Sequence, residues 1–155
     1  MPERRLNPDY VQALCRLVNR CPYFTLLSME IRELGWGTSL VWLDLGEKHL
    51  QPFGKVHGGA IASALDAAVF WSVFTQIDEG RGLTTVEVKL NYLAPARSGG
   101  LLAHGRCIKI GRNLGLGDAQ VFDLGGNLVA HGLSTVMILP ELLLEGDPAL
   151  PPKFL

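Results

Sequence analysis

QPFGKVHGGAIASALDAAVFWSVF, residues 51–74, runs from a loop through two adjacent glycines, Gly58 and Gly59, into a segment that is apolar on nearly every side. From Ala60 to Phe74 the only polar side chains are Ser63, Asp66 and Ser72, set among Ile61, Leu65, Val69, Phe70, Trp71, Val73 and Phe74. A helix with no polar face is buried all round, so the remaining chain is expected to wrap it. Asp66 is the costly member of this helix. An ionised carboxylate without partners loses several kcal/mol on burial or shifts its pKa upward, so Asp66 needs a structural partner or a chemical task.

Toward the N-terminus, Asn7 can cap a helix with Pro8 at its first position, and Val11, Leu14, Cys15 and Val18 follow at helical spacing. Pro22 ends that helix, and residues 24–34 are expected to enter the core as an extended segment. Gly35 and Gly37 around Trp36 predict a hairpin turn, residues 38–45 a strand, and residues 47–56 a loop. Toward the C-terminus the clearest strand is residues 83–93, where Val86, Val88, Leu90 and Tyr92 alternate with Thr85, Glu87, Lys89 and Asn91 as a dry and a wet face. Residues 101–110 form the next strand. A loop at 111–117, a strand at 118–122, a hairpin at Gly125 and Gly126, and a last strand at 128–139 follow. Strands joined by short turns favour an antiparallel sheet, and one long apolar helix needs a sheet curved around it. The expected fold class is α+β. Residues 1–22 form an N-terminal helix and loop, 23–139 the principal domain, and 140–155 an extended or disordered tail.

The 155 residues carry 14 basic and 15 acidic side chains without a run of either sign, which argues against nucleic acid as a partner. No apolar stretch is long enough to span a bilayer, and the opening MPERRLNPDY lacks the apolar segment of a secretory leader, so no membrane association is expected. Cys15, Cys21 and Cys107 are odd in number and lack CxxC spacing, which suits a reduced, cytoplasmic setting.

The chemistry concentrates on residues 51–66. A helix N-terminus presents unpaired N–H groups and the positive end of the helix dipole, so the Gly58 N–H could polarise a carbonyl oxygen that turns negative during acyl transfer. Adjacent glycines also make tight turns with no chemical purpose. Asp66 could act as a general base toward water or as a nucleophile toward a thioester; the alternative is an acid satisfied by Ser63 or backbone groups. Gly58 and Asp66 stand about 12 Å apart along a helix axis and roughly 80° around it. One helix does not easily bring both to one carbonyl, so a site built from them would take each from a different subunit at a dimer interface. His57 could serve as a base or simply hold the glycine turn, and Gln51 offers an amide just before it.

Gly59 beside Gly58, Phe70 on the helix, Asn91 on the strand and Arg112 in a loop complete the candidate substrate contacts, with Lys89, Arg97 and Arg106 as further candidates for phosphate. Phe70, Trp71, Phe74 and Tyr92 could line an acyl pocket or be plain core. His49, His104 and His131 have no metal-ligand spacing, and no GxxxxGK[ST] or strand-linked GxGxxG occurs, so neither a metal nor a nucleotide cofactor is expected.

VHGGAIASALDAA resembles the signature of the PaaI-type hotdog-fold acyl-CoA thioesterases, within the 4-hydroxybenzoyl-CoA thioesterase-like superfamily. VEVKLNYLAPARSG, GDAQVFD and GGNLVAHGLSTVMI resemble that family's later strands. The resemblance covers roughly residues 24–139. It implies a hotdog fold and hydrolysis of an acyl-CoA or aryl-CoA thioester, with coenzyme A part of the substrate rather than a cofactor. It also implies a homodimer with a continuous sheet, commonly paired into a homotetramer, with two sites per dimer. Gly58 takes the position whose N–H polarises the thioester carbonyl and Asp66 that of the catalytic acid. Gln51 stands where many relatives have asparagine and the 4-hydroxybenzoyl-CoA branch has glutamine. The competing readings are a hotdog enoyl-CoA hydratase or dehydratase using His57, and a non-catalytic acyl-CoA-binding protein.

Overall fold

The computed structural model describes residues 4–145 and 150–155. Its elements, in chain order, are α1 (Pro8–Val18), α2 (Pro22–Leu27), β1 (Met29–Gly35), β2 (Thr38–Asp44), α3 (Gly58–Phe74), β3 (Arg81–Tyr92), β4 (Gly100–Ile110), β5 (Leu114–Asp123) and β6 (Leu128–Pro140), with one 3-10 turn at Glu47–His49. The six strands form one antiparallel sheet in the order β1-β2-β4-β5-β6-β3. β1 and β3 are its two edges. α3 touches all six strands, so the sheet wraps the helix and the fold is α+β, as expected.

The packing of α3 is close because the strands beneath it carry glycine. A Cβ on Gly105 would lie 2.1 Å from the Ala68 carbonyl oxygen, and the Ser39 hydroxyl donates to that same oxygen at 2.5 Å. Gly115 and Gly117 do the same for Val73 and Val69. These two glycines mislead a reading of the sequence. The loop expected at 111–117 spans only residues 111–113, since Gly115 and Gly117 sit within β5 to admit helix side chains and not to turn the chain.

Three other expectations change. The extended segment expected from residue 24 begins with a helix, α2, started by Pro22 at its first turn and stopped by Ser28 in the left-handed region (φ 56°); β1 starts only at Met29. β3 contains a bulge between Thr85 and Glu87 that shifts its alternation, which leaves Val86 55% exposed instead of in a dry face. α3 is not covered all round. Ala62, Ser63, Asp66 and Phe70, at helical spacing, form a half-buried stripe, with Gly59 exposed at its head, while Ala64, Leu65, Ala68, Val69 and Val73 are sealed against the sheet.

Beyond β6 the described residues of the tail return to the domain. Leu6 bridges Phe154, the Asn7 N–H donates to the Lys153 carbonyl at 2.9 Å, and the Leu155 N–H donates to the Arg5 carbonyl at 3.0 Å. Lys153 is 1% exposed. Its ammonium donates to the Phe74 and Ile77 carbonyls, 2.6 Å each, and so caps the C-terminal end of α3.

Candidate active site

The loop before α3 is built to present that helix's N-terminus. Buried His49 accepts from the Gly46 N–H through Nδ1 at 2.9 Å, its Nε2 lies 2.7 Å from the Leu27 carbonyl, and its own carbonyl accepts from the His57 N–H at 2.7 Å. The loop is thereby tied to α2 on one side and to the helix start on the other. His57 is the N-cap: its Nδ1 accepts from the Gly59 N–H at 2.8 Å, which satisfies one of the orphan donors of the first turn. Among the described residues nothing accepts from the Gly58 N–H, and the Tyr92 hydroxyl donates to the Gly58 carbonyl at 2.8 Å. A Cβ on Gly58 would meet the Tyr92 ring at 2.8 Å, so glycine is required here by close approach. A cavity of about 250 Å³ lies beside this turn, lined by Tyr23, Lys48, His57, Gly59 and Ser63 among others.

Asp66 lies two turns further along the half-buried stripe. Its Oδ1 accepts from the Thr85 hydroxyl at 3.0 Å and the Ser134 hydroxyl at 3.3 Å. Burial raises its pKa above the ordinary aspartate value, and the two hydroxyl hydrogen bonds oppose that rise. Oδ2 accepts no hydrogen bond from the described residues. The carboxylate is therefore held by one oxygen and leaves the other for an incoming proton or carbonyl carbon. Ser63, the partner offered by the alternative reading of Asp66, instead donates to the Gly59 carbonyl at 2.8 Å and pairs with the Tyr23 hydroxyl at 2.7 Å.

Residues 53–130 match the family model of the thioesterase superfamily. An esterase-named protein of Saccharolobus solfataricus is 30% identical over 131 residues, covering 84% of this chain and 87% of its own. The chain belongs to the thioesterase superfamily. A 1,4-dihydroxy-2-naphthoyl-CoA hydrolase of Listeria monocytogenes is 25% identical over 112 residues, 72% of this chain and 91% of that one. Among solved structures, a thioesterase of Haemophilus influenzae superposes with TM-score 0.80 at 20% identity over 91% of this chain and 98% of that chain. A phenylacetic acid degradation-related protein of Ralstonia eutropha superposes with TM-score 0.74 at 26% identity over 83% and 98%. The hotdog fold and the family expected from residues 51–74 thus hold, and thioester hydrolysis is the chemistry they support.

The fold gathers some of the sequence-predicted site residues and disperses others. Gly58, Gly59 and His57 share the helix start, and Asp66 follows on the same stripe. Gln51 turns its amide oxygen back onto the Phe53 N–H and so closes its own loop. Phe70 is half-buried, with its ring 5.1 Å from Trp71; Trp71 and Phe74 are core. Asn91 is exposed and bonded by Lys89, on the face of β3 opposite Tyr92. Arg112, in the β4–β5 turn, is exposed beside Arg81 at the start of β3; within one chain it is not brought to the Gly58 end. Thr85 and Ser134 had no signal as partners of Asp66, since β3 and β6 meet α3 only through the tertiary fold. Tyr23 and Lys48 were missed with the helix and the turn that carry them. Among the described residues there is no metal-holding group of His, Cys, Asp or Glu, and no helix is long and apolar enough to cross a membrane.

Proposed function

We propose that the protein hydrolyses an acyl-CoA or aryl-CoA thioester to the free acid and CoA, with Asp66 and the Gly58 N–H as the reacting groups. The carrying observation is the one-sided anchoring of Asp66: Thr85 and Ser134 hold Oδ1 while Oδ2 stays open. As general base, Oδ2 takes a proton from water, the hydroxide oxygen bonds to the thioester carbon, and the tetrahedral oxyanion rests on the Gly58 N–H at the positive end of α3. Collapse then expels the CoA thiolate. As nucleophile, Oδ2 itself bonds to that carbon, the thiolate leaves, and water cleaves the resulting anhydride. Either route uses only the carboxylate, water and the N–H. CoA comes to this reading from the superfamily and from the Listeria hydrolase, and it enters as substrate.

Each site combines two chains in this proposal. Within one chain Tyr92 meets Gly58 and Thr85 meets Asp66, and seven positions of β3 separate them, about 20 Å of strand. β3 is an edge strand. If it pairs antiparallel with β3 of a second copy about a centre at Lys89, the bulge at Val86 sets Tyr92 of one chain opposite Thr85 of the other on the same face, and Gly58 approaches the second copy's Asp66. The half-buried stripe of α3 and the exposed Val86 and Tyr92 are then covered.

The test is thiol release across aryl, short and long acyl-CoA, followed by subunit mixing. Asp66→Asn and Gly58→Leu chains should each be inactive alone. After demonstrated exchange in equal amounts about half the dimers are mixed, each with one intact site, so activity should return to roughly a quarter of wild type. Hydration of enoyl-CoA with no CoA released would transfer the reading to the hydratases. Zero activity after exchange would place both groups in one chain or remove Gly58 from the chemistry.

A further inference from the structure

A large cavity lies away from the candidate active site. It is a groove of about 1110 Å³ between α1 and β1, at the sheet edge opposite β3. Five inter-strand spacings separate the two edges, about 24 Å, so the groove is not an extension of the Asp66 site within one chain.

Its construction follows from the periodicity of α1. Tyr10, Leu14 and Val18 face the core; the next row, Val11 and Cys15, forms the groove wall, and Arg16 and Arg20 stand one residue further round at its rim. Leu34 and Trp36 line it from the β1 side, and Arg5 and Arg32 also line it. Five of the chain's 14 basic side chains line this one groove, Arg4 with those four, against a single acid, Glu33, in a protein of net charge -1. Arg4 is engaged by Asp78, and Arg32 by Glu30 and the Trp42 ring. Arg5, Arg16 and Arg20 have no carboxylate within ion-pair reach among the described residues. A cation in the last turn of α1 complements the helix dipole, which accounts for Arg16 alone and not for the convergence of guanidiniums from the N-terminal arm, α1 and β1.

The groove is also closed to strand addition at its middle. The Asn19 side chain occupies the free edge of β1, accepting from the Ile31 N–H at 2.7 Å and donating to the Ile31 carbonyl at 3.1 Å. An extended peptide would have to displace both bonds. What remains is an apolar trough with unpaired guanidinium forks along its rim, of a volume at the upper end of small-ligand pockets.

We propose that this groove binds a single-chain amphiphile with an oxyanionic head, carboxylate or phosphate, with its tail between Val11, Cys15, Leu34 and Trp36 and its head on Arg16 and Arg20. Guanidinium forks match both oxyanions bidentately, and a neutral or cationic head gains nothing from them. The inference does not depend on the reaction assigned to Asp66.

Titration calorimetry on the full chain, below micellar concentrations, with decanoate, decyl phosphate, decanol and decyltrimethylammonium, tests it. At least one of the two anions should saturate one site per chain, and the two arms identify the head group. Decanol and the ammonium should bind at least about tenfold more weakly. Arg16→Gln/Arg20→Gln, two exposed changes that should leave the melting temperature intact, should weaken the anion at least about tenfold, whereas Asp66→Asn should not. Backbone amide shifts caused by the anion should cluster at residues 11–20 and 32–36. The proposal is overturned if neither anion saturates, if decanol binds as well as the anions, if the double glutamine variant binds unchanged, or if the shifts cluster at residues 57–70.

Discussion

Asp66 works against stability for the same reason that it suits chemistry. Burial raises its pKa, so between its unfolded and folded pKa values the native chain holds the proton more tightly, and stability falls as pH rises through that window. The ionised group is a net cost at neutral pH. Asp66→Asn keeps the size of the side chain, so its melting temperature at pH 7 should equal or exceed that of wild type, and the difference should close as pH falls. Its turnover should drop by at least about a hundredfold, the scale of losing a base or nucleophile. Thr85 acts in the opposite sense, because its hydroxyl stabilises the carboxylate. Thr85→Val should raise the Asp66 pKa further and move the acid limb of the rate profile to higher pH. A limb that stays in place would mean that Asp66 does not control it.

α3 is secured at both ends by residues distant in sequence. His57 and the His49 loop hold its start, and Lys153 caps its C-terminal carbonyls. Burial pushes the Lys153 ammonium down to about 8, with Glu79 and Asp78 opposing. An unfolded lysine titrates near about 10.4, so from about pH 8 to that value the unfolded chain holds more protons, and this residue's contribution to stability rises with pH. Lys153→Met removes both ammonium bonds, stranding the Ile77 carbonyl and leaving the Phe74 carbonyl only the long bond from the Ile77 N–H, at about 1–3 kcal/mol. Urea unfolding should show that deficit at pH 7 and a wider one at pH 9.5. A variant as stable as wild type would show that the tail merely rests on the helix.

A twelve-residue edge strand with Val86 and Tyr92 more than half exposed is an open template for pairing. On an isolated chain Val86→Glu touches little and should be neutral within about 0.5 kcal/mol. In the dimer proposed through β3 it sets a carboxylate in the seam, so sedimentation should shift toward monomer and activity should fall with it. Unchanged association would move the interface elsewhere.

Residues 51–74 determined much on their own. An apolar run behind two glycines reads as a helix that a sheet wraps, and a lone carboxylate on it needs a purpose; these follow from local composition and the cost of burying charge, while the half-buried stripe that carries Asp66 does not. Local pattern did not reveal what sits opposite. The bulge at Thr85 and Glu87 moves Thr85 onto Asp66, and Gly115 and Gly117 read as loop residues while serving as seats for Val73 and Val69. Lys153 reads as a tail charge and becomes a buried helix cap 79 positions from the carbonyl it binds. Each is a contact across the fold, whose energy depends on which strands become neighbours, and strand order in an antiparallel sheet is set by packing around α3 and not by any local run of side chains.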